Sequence, residues 1–251
     1  MQRRDFLKDS AKVGGLIGAT RLGAVLDQES FASRLLILPN ENKLTPPAKG
    51  KIPVAVLISN HVTMIDYAGP WEVFQDVDIP SRGEGEDRMP FQLFTVSDTT
   101  EVVLGTAGLK IVPNYTFQTA PTPKVIVIPA QGGRSEAMFE WLRKVSQTAD
   151  VVMSVCTGAF ILAKAGMLSG KDATTHHEFT DRLAKNFPDI KVKTGLRYVE
   201  GPKISTAGGL TSGIDLALRV VERYFGRDVA KATATYMEYQ SQGWMQPETA
   251  G

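Results

Sequence analysis

VVMSVCTGAFILAKAG, residues Val151 to Gly166, opens with five residues of which four are apolar and three β-branched. That composition predicts a short strand buried on both faces of a sheet. The only cysteine of the chain follows at once. From Thr157 to Ala165 the residues are good helix formers with apolar positions on one face, and Gly166 is a natural stop. Cys156 therefore falls at a strand-to-helix turn. The first amides of a helix lack partners within it, and its amino end is partly positive, so a thiolate gains there. The dipole alone contributes roughly 0.3–1 kcal/mol, less than one pKa unit, so full activation needs a neighbour. The alternative reading of Cys156 is a small buried core residue.

Outward from this turn the pattern repeats. Strands are expected at Ile52–Ser59, Phe91–Val96, Val125–Ile128, Asp172–His176, Ile190–Lys193 and Tyr198–Thr206, with a hairpin or extended excursion over Val102–Val112. Helices are expected to start at Pro70, to run from Ser135 to Gln147 and Phe179 to Phe187, to follow Gly208–Thr211, and to cover Asp228–Tyr239. Such alternation argues for an α/β fold whose mostly parallel sheet is covered on both faces, with ligands at the carboxyl ends of the strands.

Lys and Arg total 28 against 27 Asp and Glu, a net charge of +1, which gives no electrostatic case for nucleic acid or an anionic membrane. A single cysteine forms no internal disulfide, no Cys/His spacing suggests a metal site, and no apolar run is long enough for stable membrane insertion. No cofactor is expected. The amino terminus is different. Arg3-Arg4-Asp5-Phe6-Leu7-Lys8, followed by a weakly apolar Gly-rich segment, resembles a twin-arginine export signal, which implies the export machinery as a partner and a periplasmic location. An amphipathic helix on a cytoplasmic protein is the alternative. The expected organisation is a signal over 1–33, a polar linker over 34–51, one domain over 52–240 and a tail over 241–251.

Three special turns point to one sheet edge: Asp66 after the first strand, Gln131-Gly132-Gly133 after Val125–Ile128, and Cys156. This set suits covalent catalysis by a thiolate. Glycines let amides approach a substrate, and with the Thr157 amide they could stabilise developing negative charge. A carboxylate such as Asp66 could move the thiol proton or that of an attacking water. Asp66 alone reads as a helix N-cap sooner than as a catalyst, and it is the pairing with the cysteine turn that brings in catalysis or redox tuning. One of His176 and His177 must face inward, as a satisfied buried histidine or as part of a site, and Gly208-Gly209 reads as close packing rather than phosphate binding.

The segments IDYAGPWEVF, VIVIPAQGG, SVCTGAFILAKAGMLSGKDATTHH and STAGGLTSGIDLALRVVERYFG resemble the ThiJ/PfpI branch of the class I glutamine amidotransferase-like superfamily, over about residues 52 to 240. Within it they are similar to isonitrile hydratases and to the sensor domains of AraC-type regulators. The resemblance implies a flavodoxin-like three-layer sandwich with Cys156 as nucleophile on its elbow, Thr157 offering an amide and a hydroxyl, Asp66 touching the thiol, and His176 flanking the site. It also implies a homodimer and a small-molecule substrate, with thiolate attack on an isonitrile carbon and water release of an N-formamide. A non-catalytic ligand-binding or cysteine redox-sensing domain is the other reading. The family's glycine turn reads Pro-Gly-Gly, whereas here Ala130 and Gln131 follow Pro129. Regulators of the family continue into a DNA-binding region, and none is expected here after the last helix.

Overall fold

A computed structural model describes residues 42–245 and the backbone of 248–249, so the export-signal reading and residues 34–41 of the expected linker lie outside the described residues. Strands β1 (Ile52–Leu57), β2 (Phe91–Ser97), β5 (Tyr115–Thr116), β6 (Val125–Ile128), β7 (Val151–Val155), β10 (Tyr198–Glu200), β11 (Ile204–Ala207) and β12 (Glu248–Thr249) form one sheet, ordered β12-β10-β11-β7-β6-β1-β2-β5. All neighbours pair in parallel except β10 with β11. The excursion after β2 is an antiparallel hairpin of β3 (Val103–Leu104) and β4 (Lys110–Ile111), while β8 (Asp172–Ala173) and β9 (Lys191–Val192) form a separate parallel pair.

Why the strands bury both faces is visible residue by residue. Val151, Met153 and Val155 face one core with Val54, Val56, Val125 and Val127, while Val152 faces the other with Ala55, Leu57, Ile126 and Ile128. The first core is closed by helices α1 (Met64–Gln75), α5 (Ser212–Phe225) and α6 (Arg227–Tyr236). The second is closed by α2 (Glu136–Val145), α3 (Ala159–Lys164) and α4 (Thr180–Asn186), which completes the three-layer sandwich. Chain order moves outward from β1 to β2 and β5, then returns to β6 on the other side, so the topological switch point lies between β1 and β6, where ligands bind in open parallel sheets.

Four expectations are corrected. Helix α1 begins at Met64, with Pro70 inside it, so Asp66 lies in the first helical turn and Thr63 is the N-cap. Proline here costs the helix one hydrogen bond, and the tertiary setting compensates: a Cβ on Gly69 would stand 2.8 Å from Ile214 and one on Gly213 2.9 Å from Val155 and 3.4 Å from Pro70, so glycines let α1, α5 and β7 approach closely. The 172–176 strand stops at Ala173, because Thr174 and Thr175 turn their hydrogen-bonding groups to Lys193, Thr206 and Cys156 instead. Tyr198–Thr206 is two strands hinged at Gly201-Pro202. Residues 42–44 of the linker and 241–245 of the tail pack on the domain: Asn42 donates to Glu200, Leu44 N–H to the Arg223 carbonyl, and the Trp244 side chain is buried.

The elbow after β7 has a strict steric demand. A Cβ on Gly158 would lie 2.1 Å from the Ile128 carbonyl oxygen and 3.0 Å from that of Pro129. These are backbone atoms that no side-chain rotation can clear. Gly158→Ala is expected to destabilise the domain by about 3 kcal/mol or more, read as a lower urea midpoint; an unchanged midpoint would show that β6 and the elbow are free to separate.

Candidate active site

Cys156 occupies the left-handed region, at φ 57, and is 7% exposed. A side chain at positive φ is strained, of order 1–3 kcal/mol, and persists only where its surroundings impose it. Here both backbone groups are gripped: Cys156 N–H donates to the Gly208 carbonyl at 2.8 Å, and the Thr175 hydroxyl donates to the Cys156 carbonyl at 2.8 Å. Around the sulfur, the N–H groups of Thr157 and Leu210 are hydrogen-bond donors and Asp66 is the charged neighbour.

Asp66 is 0% exposed. Its Oδ2 accepts the Ala130 N–H at 3.1 Å, while Oδ1 is buried with no conventional donor among the described residues. The Cys156 thiol, a weak donor, is in contact with the carboxyl and pulls its pKa down, yet burial dominates and pushes it up to about 6. The thiol is pushed up to about 11, first by burial and then by the Asp66 charge, against the smaller pull of the Thr157 and Leu210 amides. The helix-end argument pointed the other way; two donors do not offset desolvation beside a carboxylate. Burial thus disfavours the charged form of both groups, and the Asp66 charge adds to the rise at the thiol, so the two titrate as a pair.

The other expected residues divide. Gly132 donates to the Asn60 carbonyl at 2.8 Å and Gly133 to the Ser59 hydroxyl at 2.9 Å, so these amides tie the loop after β6 to the loop after β1 and are not free as an anion hole. The extra residues after Pro129 account for this, since it is Ala130 whose amide reaches the carboxylate. Gln131 is buried, and its amide donates to the Leu57 carbonyl at 3.3 Å. His176 accepts the Glu178 N–H through Nδ1, stacks on His177 at 4.4 Å, and packs so tightly on Gly209 that a Cβ there would be 2.3 Å from its ring. It flanks the elbow through its neighbour Thr175 and has no hydrogen bond to the thiol among the described contacts. Gly208 and Gly209 are packing glycines, as the sequence suggested.

Residues not anticipated are Thr175, Gly208 and Leu210, which act through a hydroxyl on a backbone carbonyl or through the backbone itself. Leu210 is also at positive φ, 52, and 44% exposed at the surface. Its turn, with His176, His177 and Arg197, lines a cavity of about 360 Å³. A larger one, about 420 Å³, lies by Lys171, Lys191 and Lys203 at the opposite edge of the sheet from the thiol. Among the described residues no group of His, Cys, Asp and Glu is placed to hold a metal ion, and no helix is long and apolar enough to cross a membrane.

Comparison with known proteins agrees with this geometry. The pattern of the DJ-1/PfpI family matches residues 53–223. An isonitrile hydratase of Pseudomonas putida is 31% identical over 192 residues, covering 74% of this chain and 78% of that protein. The HTH-type transcriptional regulator CdhR of Pseudomonas aeruginosa is 36% identical over 94 residues, 38% of this chain but only 28% of the regulator. A solved ThiJ/PfpI family protein from Pseudomonas syringae superposes with a TM-score of 0.67 at 27% identity, covering 87% of this chain and 83% of that one.

Burying Asp66 has a thermodynamic consequence with a definite sign. Its folded pKa, about 6, exceeds the ordinary 3.8, so the folded state binds the proton more tightly. The stability it contributes is complete below about pH 4 and is lost as pH rises through 6, about 3 kcal/mol for two units. Asp66→Asn is expected to be more stable than wild type at pH 8, with the gap closing below pH 4, in urea titrations across that range. A gap that persists or widens toward acid would remove desolvation as the cause.

Proposed function

The chain belongs to the DJ-1/PfpI family, and on that footing we propose that it is a cofactor-independent hydratase of small isonitriles, with Cys156 as nucleophile and Asp66 as proton carrier. The observation that carries the reading is a fully buried carboxylate in contact with a thiol held at positive φ on a strand-to-helix elbow. Similarity to a P. putida protein named isonitrile hydratase supports the substrate class.

The steps balance on these groups. Asp66 takes the thiol proton as sulfur bonds to the terminal isonitrile carbon, and returns it to that carbon, which gives a thioimidate. Asp66 then draws a proton from water as the water oxygen adds to the same carbon. That proton passes to nitrogen, the C–S bond breaks with its electron pair going to sulfur, and the proton left on the added hydroxyl passes through Asp66 to sulfur as the N-formamide leaves. Negative charge builds on sulfur in the breaking step, where the Thr157 and Leu210 amides face it. The sum is isonitrile plus water.

A second reading, a ligand-binding or redox-sensing domain, is favoured by one observation: a thiol pushed up to about 11 is a poor spontaneous nucleophile at neutral pH. Incubation with aliphatic and aromatic isonitriles, with formamide followed by mass spectrometry, separates the two. Turnover is expected in wild type, none in Cys156→Ala, and a loss on the order of 10²–10⁴-fold in Asp66→Asn. Isonitriles that raise the melting temperature without formamide appearing would favour the sensor.

The export reading of residues 1–33 is part of the proposal. Replacing Arg3 and Arg4 by Lys should leave the protein in the cytoplasm; recovery of that variant from the periplasm in wild-type amount would count against a twin-arginine route.

A further inference from the structure

The turn Gly208–Thr211, between β11 and α5, is joined to the elbow by the Cys156 N–H on the Gly208 carbonyl at 2.8 Å and presents the Leu210 amide toward the sulfur. On its outer side this turn lines the 360 Å³ cavity, so packing does not hold it from that direction. Besides the Cys156 N–H on the Gly208 carbonyl and the His176 ring on Gly209, it is gripped by Arg197. The Arg197 carbonyl accepts the Gly208 N–H at 2.9 Å, and its guanidinium Nη2 donates to the Thr211 hydroxyl at 3.2 Å. One residue thus holds both ends of the turn.

The guanidinium is itself fixed. Nε donates to Asp215 Oδ2 at 2.6 Å, and Asp215, in the first turn of α5, is 0% exposed. Asp215 Oδ1 accepts the Ser241 hydroxyl at 3.0 Å. Tyr239 OH lies 3.4 Å from Arg197 Nη2 and donates to the Thr211 carbonyl at 3.4 Å. Gly243 passes so close that a Cβ would be 3.1 Å from both Arg197 Cγ and Asp215 Oδ2. A planar fork oriented by a buried carboxylate is a geometric device, not only a charge, and Lys does not reproduce it.

We propose that Arg197, locked by Asp215 and braced by the segment Tyr239–Trp244, is a positioning residue that aims the Leu210 amide at the Cys156 sulfur. The segment after α6 thereby reaches the chemistry without touching it. The proposal rests on Cys156 being a working nucleophile, and the test separates the two.

The rate of Cys156 alkylation by iodoacetamide is measured against pH for wild type, Arg197→Lys, Thr211→Val and Ser241→Ala, with melting temperatures alongside. A misaimed amide stabilises the thiolate less, so Arg197→Lys should shift the thiol profile upward and lower the rate at pH 8 roughly three- to tenfold. Thr211→Val, at an exposed position that keeps the fold, should shift it the same way by less, and Ser241→Ala least. On substrate, kcat should fall about tenfold with KM little changed. Lower melting temperatures with thiol profiles superimposed on wild type would make the clamp a stabilising feature only and overturn the proposal. A wild-type thiol inert at every pH would end the nucleophile reading and the proposal with it.

Discussion

A buried carboxylate against a buried thiol is the contact on which the rest of the site depends. Neither group is solvated, the Asp66 charge raises the cost of ionising the thiol, and the surroundings supply few donors: one amide to the carboxylate, two to the sulfur. Such a pair is costly to assemble. The fold gathers further unusual features around it: Pro70 inside a helix, Cys156 and Leu210 in left-handed conformations, and glycines at 69, 158 and 213 where neighbouring atoms leave no room for a Cβ. These are local departures from what sequence propensity favours, gathered at one edge of an otherwise regular sheet.

The regular part of that sheet was legible. Runs such as VIVI at 125–128 and VVMSV at 151–155 are apolar on both faces because each face meets its own helical layer, the pattern of a central parallel strand. Cys156 and Asp66 were legible as well, as titratable residues where the chain passes from β7 and from β1 into the helix that follows. The start of α1 was not, since a proline normally opens a helix and only the close crossing with α5 makes one tolerable seven residues in. Gly132 and Gly133 misled for a related reason: glycine marks an amide that approaches something closely, and here that is the loop of Ser59 and Asn60.

What stayed hidden works through the backbone or over long separations. Leu210 contributes its N–H, and Gly208 its carbonyl; no side chain announces either role. Arg197 and Asp215 are ordinary surface-type residues until the fold places them together with Ser241. The ends of the domain were hidden in the same way. Polar segments that read as linker and tail dock by a few hydrogen bonds, Asn42 to Glu200 and Tyr198 to the Trp244 carbonyl, which composition does not encode.

A thiol raised to about 11 looks unsuited to a nucleophile, and for amide or ester hydrolysis, where a free thiolate attacks and nothing need be delivered to carbon, it would be. Hydration of an isonitrile has a different requirement. The terminal carbon must gain both a nucleophile and a proton, since it has none of its own and leaves as a formyl C–H. A buried thiol and carboxyl in contact hold a nucleophile and a proton at once, within reach of the same carbon. A thiolate formed in advance would bring the nucleophile without the proton. In the proposed hydration the buried pair thus sacrifices readiness toward general electrophiles and gains a proton stored within reach of the carbon.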